Sequence, residues 1–340
     1  MRILAIETSC DDTAAAVLCD GTVASSLVAS QDDVHRAFGG VVPELASRSH
    51  VRNILPIITT ALARAGVTLD QIDAVAATCG PGLVGSLLVG LSTAKAIAFA
   101  RKLPFVGVNH LEGHLLSVRL TDPVPFPYVG LLVSGGHTSL YLAEDLGRYR
   151  WLGATRDDAA GEAYDKVARV LGLGFPGGRA IDELALQGDP QAIHFPRARL
   201  KPSRHGAVVE DAPAFEFSFS GLKTAVAQHV QAVPPRTRQA VADIAASFQE
   251  AVVDMLLGVT LAALRGTQCT RLVVAGGVSA NSRLRARAAQ AAGEFGISVH
   301  IPPMQYCTDN AAMIALAADY RLRRGEADPV SVNAVADLEL

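Results

Sequence analysis

"YVGLLVSGGHTSLYLAE", residues 128–144, reads as a strand, a polar glycine turn and a returning strand. The chain opens in the same order: "RILAIET" is a β-rich stretch, "SCDDT" a polar turn and "AAAVLC" a second strand. Each hairpin is followed by alternating helices and strands. In the first half, helical periodicity covers residues 43–65, with Pro43 near its start. "AVAAT" is a short buried strand running into the glycine turn "CGPGLVGS", and "PFVGVN" is a strand that delivers His110 to the start of a helix. In the second half, helices are predicted around "DDAAGEAYDKVARVLG", around "GGRAIDELALQG" and over residues 236–264. "RLVVAGGVSAN" is strand, turn and helix, "ISVHIP" the last clear strand, and "DNAAMIALAADYRL" the last long helix. The restart predicts an α/β protein of two related lobes around a cleft, with "PVPFP", residues 123–127, as the linker.

The bulk numbers bound the function. A chain of 340 residues, half of it hydrophobic, suits two domains with a large core. A net charge of −3 argues against a surface made throughout for nucleic acid, but it leaves room for a local basic patch. Five cysteines without regular spacing form no disulfide framework, which fits a reducing cytoplasm. The apolar stretch at the N-terminus is too short for a signal peptide. "LVGSLLVGLSTAKAIAFA" is broken by Gly, Ser and Lys, so it reads as a buried helix and no membrane span is expected.

"VNHLEGHLL", residues 108–116, sets His110 and His114 four apart. On a helix such a pair shares one face, and two imidazoles there can hold one metal ion. Two histidines that merely fall near each other remain an equal alternative on this motif alone. A zinc peptidase needs His-Glu-x-x-His, whereas Glu112 lies two residues from each histidine and is turned away from their face.

Three glycine turns follow strands: Gly80–Gly82 with Gly85, Ser134–Gly136, and Gly276–Gly277. Glycine there lets backbone N–H groups approach an anion, and a following helix N-terminus adds positive charge. Several such turns, spread over both predicted lobes, fit a bound nucleotide. Acidic residues stand nearby: Asp11 and Asp12, Asp157 and Asp158, and Asp165 with Asp182. No Walker sequence is present.

Ten segments in order resemble one family. They are "IETSCDDT", "GGVVPELASRSH", "GPGLVGSLLVG", "NHLEGH", "LLVSGGHT", "DDAAGEAYDKVARVLGL", "FPGG", "FSFSGLKTA", "AGGVSAN" and "CTDNAAMIA". Together they resemble the tRNA adenosine threonylcarbamoyltransferases, the TsaD family, from the N-terminus to about residue 324. The resemblance implies the two-lobed actin-like and sugar-kinase-type ATPase fold, with duplicated RNase H-like lobes and an interlobe cleft. The N-terminal lobe is expected at 1–122, completed by 325–340, and the C-terminal lobe at 123–324.

The resemblance also implies a reaction. Threonylcarbamoyl-adenylate donates its threonylcarbamoyl group to N6 of adenosine 37 in tRNAs reading codons that begin with A, and AMP leaves. A TsaB-like paralogous subunit and a TsaE-like ATPase are the implied partners. By motif, His110, His114 and Asp309 match the metal ligands, with Fe(2+) expected and zinc as the alternative. Leu132, Val133, Ser134, Gly135 and Gly136 match the adenylate-contacting loop; Asp165, Gly178, Asp182 and Asn281 match the other nucleotide contacts. The family usually shows Asp-Glu where this chain has Asp11-Asp12, a shorter acid with the same charge. Asp11 is the candidate for assisting proton loss from N6. Two rival readings on the same fold are a sugar or acetate kinase and a nucleotide-binding scaffold without turnover; neither accounts for the His–His–Asp set.

A phosphate-rich partner requires local positive charge. The irregular stretch "FPRARLKPSRHG", with Arg197, Arg199, Lys201, Arg204 and His205, is the expected tRNA contact, and Arg283, Arg285 and Arg287 form a second candidate.

Overall fold

The computed structural model describes residues 1–198 and 215–340, and the chain divides into two compact units. The first comprises Met1–Pro123 with Pro302–Leu340, the second Val124–Ile301.

The first unit begins with β1 (Arg2–Glu7), β2 (Asp12–Cys19) and β3 (Thr22–Ser30), an antiparallel meander. A short helix α1 (Asp32–Arg36) and the long α2 (Pro43–Arg64) lead to β4 (Ala74–Gly80), α3 (Val84–Arg101), β5 (Phe105–Asn109) and α4 (His110–Leu116). β4 and β5 add to β1 as parallel strands, giving the order β3-β2-β1-β4-β5. β1 lies at the centre, and Ile3, Leu4, Ala5 and Ile6 are all fully buried, because both faces of the sheet are covered. Leu4 and Ile6 pack with Ile54 and Ile57 of α2 and Leu91 of α3.

The second unit repeats this plan. β6 (Tyr128–Val133), β7 (Thr138–Asp145) and β8 (Arg148–Ala154) form the meander. Helices α5 (Ala160–Val170), α6 (Gly177–Ala185), α7 (Ser220–Ala232) and α8 (Arg238–Thr267) follow, then β9 (Arg271–Ala275), α9 (Ser282–Phe295) and β10 (Ser298–His300). The sheet order is β10-β9-β6-β7-β8, with β9 parallel to both β6 and β10. The two sheets thus share one topology, three antiparallel strands followed by two parallel ones, which substantiates the repeat. The third strand of each meander, β3 and β8, is missing from the sequence reading. Both are edge strands with half-exposed residues, so neither shows a continuous apolar run. α8 runs through the core of this unit, with Phe248, Val252 and Leu256 fully buried.

The chain then returns to the first unit through α10 (Ala311–Arg323), which packs on β1, β2 and α4. The boundary therefore falls at residue 302, not 325. The helix expected in the C-terminal lobe belongs to the first unit, because its apolar residues 311–318 are buried against that sheet. Among the described residues two helices, α3 and α8, are long and apolar enough to cross a membrane; both contribute to these cores.

Candidate metal centre and nucleotide-binding turns

Asn109 ends β5 and caps α4: its Oδ1 accepts from the N–H groups of Leu111 and Glu112. The strand-to-helix corner sets His110 and His114 on one face of a single short helix. Their rings meet edge-on with centroids 4.7 Å apart. Gly113 between them lets α10 close on α4, since a Cβ there would stand 3.0 Å from Ile314 Cδ1 and 3.1 Å from Met313 Cγ. α10 begins with the cap Asn310, whose side chain accepts from Met313 N and donates to Thr308 O, which fixes the turn holding Asp309.

The result is a converging set. Asp309 Oδ1 stands 3.0 Å from His114 Nε2 and 3.6 Å from His110 Nε2. Two ligand atoms bound to one ion at about 2.1 Å stand about 3–3.5 Å apart; both separations to Asp309 are close to that, and all three donor atoms lie within 4.8 Å of one another, so the set can close on a metal ion with small side-chain shifts. The ring of His110 is oriented from behind: its Nδ1 lies 3.1 Å from Glu7 Oε2 and 3.1 Å from Ser9 Oγ. Nδ1–H donation to the carboxylate leaves the lone pair on Nε2, the tautomer a metal ligand needs. Burial lowers the His110 pKa, but Asp309 and Glu7 outweigh it and bring it up to about 9. The site therefore favours a cation on or beside the imidazole.

Glu7 is missing from the candidates read off the sequence, although the sequence holds a signal for it. It is a charged residue ending the buried strand β1, and such residues are almost never fully buried unless paired. Its carboxylate accepts from Ser9 N and from Thr78 Oγ1 as well as pairing with His110. Glu112, two residues from each histidine, lies where its charge acts on Arg321 of α10, in keeping with its turn away from the histidine face.

The turn between β1 and β2 carries Asp11 and Asp12, both half-buried. Burial raises the carboxyl of Asp11, and the charge of Asp309 raises it further. Asp12 is pushed up to about 8 by burial, then by Asp309 and Asp11. His50, from "ASRSH", braces this turn: its Nε2 bonds the carbonyl of Cys10 at 2.9 Å and its Nδ1 the hydroxyl of Thr13 at 2.8 Å. Asp11, Asp12 and the His–His–Asp set thus belong to one unit and share one electrostatic environment.

The expected nucleotide residues lie in the second unit. β6 and β9 run parallel with Leu132 opposite Ala275, so the turns after them emerge at the same sheet edge. In open α/β sheets this carboxyl edge is where ligands bind. Gly276, at φ +90°, brings the two turns into contact, since a Cβ there would lie 2.5 Å from Val133 O. Leu132 and Val133 are buried and still paired in the sheet as the last residues of β6, so the open part of this turn begins at Ser134. Around Gly135, Gly136 and Gly178 no atom of the described residues lies within 4 Å of a built Cβ. Asp165 accepts from Gly177 N at 2.8 Å and joins α5 to the start of α6. Asp182 accepts from Asn281 Nδ2, Ser282 N and Ser282 Oγ, while Asn281 caps α9 and donates to Gln249 Oε1 at 2.7 Å. Gln249, on the buried face of α8, is a further member of this network that the sequence reading lacks.

Other expectations resolve into structure. Asp157 caps α7 through the N–H groups of Phe219 and Ser220, and Asp158 pairs with Lys166 and Lys223. The turn Gly80–Gly82 with Gly85 has the spacing G-x-G-x-x-G, yet protein fills it. A Cβ on Gly80 would meet Val335 O, one on Gly82 would meet Ser9 O, and one on Gly85 would meet Ser47 Oγ. These glycines serve close packing. Arg197 is held by Asp254 and the carbonyl of Phe195. Arg283 and Arg287 pair with Glu250, and Arg285 donates to Ser279 O. Arg199, Lys201, Arg204 and His205 lie outside the described residues.

Comparison with known proteins bears on this geometry. Residues 22–316 match the family model described as TsaD, tRNA N6-adenosine threonylcarbamoyltransferase. A tRNA N6-adenosine threonylcarbamoyltransferase of Anaeromyxobacter dehalogenans is 57% identical over 98% of both chains. Among solved structures, full-length HypF in its phosphate- and nucleotide-bound form aligns with a TM-score of 0.62 at 13% identity, over 94% of this chain and 56% of that one. The activator of 2-hydroxyisocaproyl-CoA dehydratase from Clostridium difficile aligns with a TM-score of 0.53 at 14% identity, over 97% of this chain and 100% of that one. These structures have the actin-like ATPase fold, and the chain described above shares it.

Proposed function

Since the chain belongs to the tRNA N6-adenosine threonylcarbamoyltransferase (TsaD) family, we propose a role in that reaction for each group of residues described above. The family's enzymes transfer a threonylcarbamoyl group to a tRNA adenosine, and this chain is an enzyme of that type. The donor in our reading is threonylcarbamoyl-adenylate and the acceptor is N6 of adenosine 37.

His110, His114 and Asp309 hold a divalent metal ion through Nε2, Nε2 and a carboxylate oxygen. A donor set of two histidines and one carboxylate with open positions suits Fe(2+), with Zn(2+) as the alternative. When bound, the ion supplies Lewis-acid polarisation and positioning of the carbamoyl or threonyl oxygens. Glu7 fixes the His110 tautomer. The turns 132–136 and 276–281, with Asp165, Gly178 and Asp182, bind the adenylate: their backbone faces the phosphate and the carboxylates take ribose hydroxyls. N6 attacks the carbamoyl carbon, the bond from that carbon to the phosphate oxygen breaks, and AMP leaves. The nitrogen then loses one proton, which Asp11 accepts; a carboxylate whose pKa burial has raised is the better base for this.

A TsaB-like subunit and a TsaE-like ATPase are the proposed partners. α2 and α3 pack on each other and leave Val51, Leu55, Val84 and Leu88 exposed, which supports a protein partner on those helices. The tRNA surface is then shared with partners, since the described arginines of both candidate clusters are tied into contacts of their own.

The convergence of His110, His114 and Asp309 in front of Glu7 carries this reading. The experiment is nucleoside mass analysis of tRNA from cells depleted of the protein. Wild-type chain should restore threonylcarbamoyladenosine and a His110→Ala, His114→Ala chain should not. Full modification with the double variant would refute the site.

A further inference from the structure

Residues 328–339 form neither helix nor strand of any length, yet they are pinned along the sheet at specific points. Asp328 N donates to Phe105 O at 2.7 Å, and Asp328 Oδ2 accepts from Gly107 N at 2.9 Å. Lys95 Nζ donates to Val332 O at 2.8 Å, Val335 N to Cys79 O at 2.8 Å, and Gly82 N to Ala336 O at 3.0 Å. Gly80 has no side chain where Val335 O and Leu338 Cβ come against it. Val332, Ala334 and Leu338 pack on the core of the first unit. The last contacts fall on one side chain: Asn109 Nδ2 donates to Leu338 O at 3.4 Å and to Glu339 O at 3.0 Å.

Asn109 is therefore used at both ends. Its Oδ1 caps the helix carrying His110 and His114, while its Nδ2 is held by the segment crossing the ends of β4 and β5. An amide offers two donors on its NH2 group besides its acceptor oxygen, and partners on both sides hold it more firmly than the cap bonds alone. A helix of seven residues depends on its cap more than a long one does, because few internal bonds hold its first turn. We propose that residues 335–339 are a tether that positions the metal-binding helix through Asn109, so that Asn109 is a positioning residue for His110 and His114. The inference rests on the metal reading above, and its test is built to separate the two.

The variants are Asn109→Asp, a stop codon in place of Leu338, and the two combined. Asp is as good a helix cap as Asn, and its charge suits a helix N-terminus and a nearby cation. If capping alone mattered, Asn109→Asp would hold metal as tightly as wild type or more tightly. With the tether, it loses both donor bonds and sets a carboxylate against two carbonyls. Metal affinity, read by competition with a chelator for Fe(2+) or Co(2+), should fall about 10-fold, as for other outer supports of metal ligands. The stop codon should have the same effect with the cap intact, and the combined variant should be no weaker than either alone. Amide exchange at Leu111 and Glu112, measured without metal, should accelerate in each variant more than exchange at the core amides of β1, since the stop codon also removes the packing of Leu338. Unchanged exchange at those amides in the stop variant, or additive losses, would overturn the tether. If wild type bound no metal, the His–His–Asp reading would fall, and the exchange rates would still decide on the tether.

Discussion

Glu7 Oε2 stands 3.1 Å from His110 Nδ1, across 103 residues of sequence, and both side chains are buried. A carboxylate behind a ligating imidazole fixes the tautomer and raises the ligand's basicity. Glu7→Gln keeps the shape and one acceptor but removes the charge. Metal affinity should fall by about 10–100-fold while the circular dichroism spectrum stays that of wild type. Affinity equal to wild type in a titration with Fe(2+) or Co(2+) would show that Glu7 serves only the packing of β1.

The histidines themselves should behave more sharply. His114 is 1% exposed and His110 7%, so Ala at both positions removes packing between α4 and α10 as well as ligands. A cost of about 1–3 kcal/mol in unfolding free energy is expected, with the fold retained. Elemental analysis of the folded His110→Ala, His114→Ala protein should find less than one-tenth of the wild-type metal. Stoichiometric metal would place the ion elsewhere.

These two cases show what is legible in the sequence. His110, His114 and Asp309 stand in short motifs, and the structure brings them to one point in one unit. For Glu7 the sequence shows only a charge at the end of a buried strand; its partner is set by what lies opposite it after folding, not by its neighbours in "IETS". The hairpins β1–β2 and β6–β7 are visible because each strand carries a run of buried, mostly apolar residues. β3 and β8 escape notice because edge strands carry polar and apolar residues in no strict period. Sequence order places α10 with the C-terminal lobe, since it follows β10, whereas its buried face fits the first sheet. The glycine turn Gly80–Gly82 with Gly85 suggests an anion-binding loop, but only the fold reveals residues 335–338 lying against Gly80.

Gly136 separates ligand binding from folding. No described atom lies within 4 Å of a Cβ built there, and its φ is not in the left-handed region. Gly136→Val should therefore fold with an unfolding midpoint close to wild type. The branched side chain would occupy space that the adenylate needs, so affinity for AMP should fall at least 10-fold by calorimetry, with metal binding unchanged. AMP affinity equal to wild type would remove the turn 132–136 from the nucleotide site.

Asp157 links stability to pH. Burial raises its carboxyl, but bonds from Ser218, Phe219 N and Ser220 outweigh that and hold it below its ordinary value. A depressed carboxylate stabilises the fold above its unfolded-state pKa of about 3.9, and this contribution is lost as pH falls through the lower folded-state value. Asp157→Ala removes the cap of α7 and should cost about 1 kcal/mol at pH 7. The gap between wild type and variant should narrow as the pH is taken below about 3.9. A gap independent of pH across that window would mean that the side chain acts through packing, not charge.

The arginines after "VSAN" offer the clearest separation between nucleic-acid binding and structure. Arg283 and Arg287 both reach Glu250, Arg287 also reaches Asp254, and Asp254 in turn holds Arg197. Glu250 is 9% exposed, and its carboxyl stays below its ordinary value because the two guanidinium groups outweigh the effect of burial. An arginine engaged in this way offers little charge to a phosphate. Arg283→Gln should lower stability by about 1 kcal/mol, since Arg283 is itself partly exposed and its pair is screened. Glu250 keeps Arg287, so the fold survives. tRNA affinity of the assembled complex, measured across a salt series, should match wild type in both magnitude and slope, because each phosphate left without its cation would flatten the slope by about one unit. A flatter slope with unchanged stability would reverse the assignment and return this face of α9 to the tRNA.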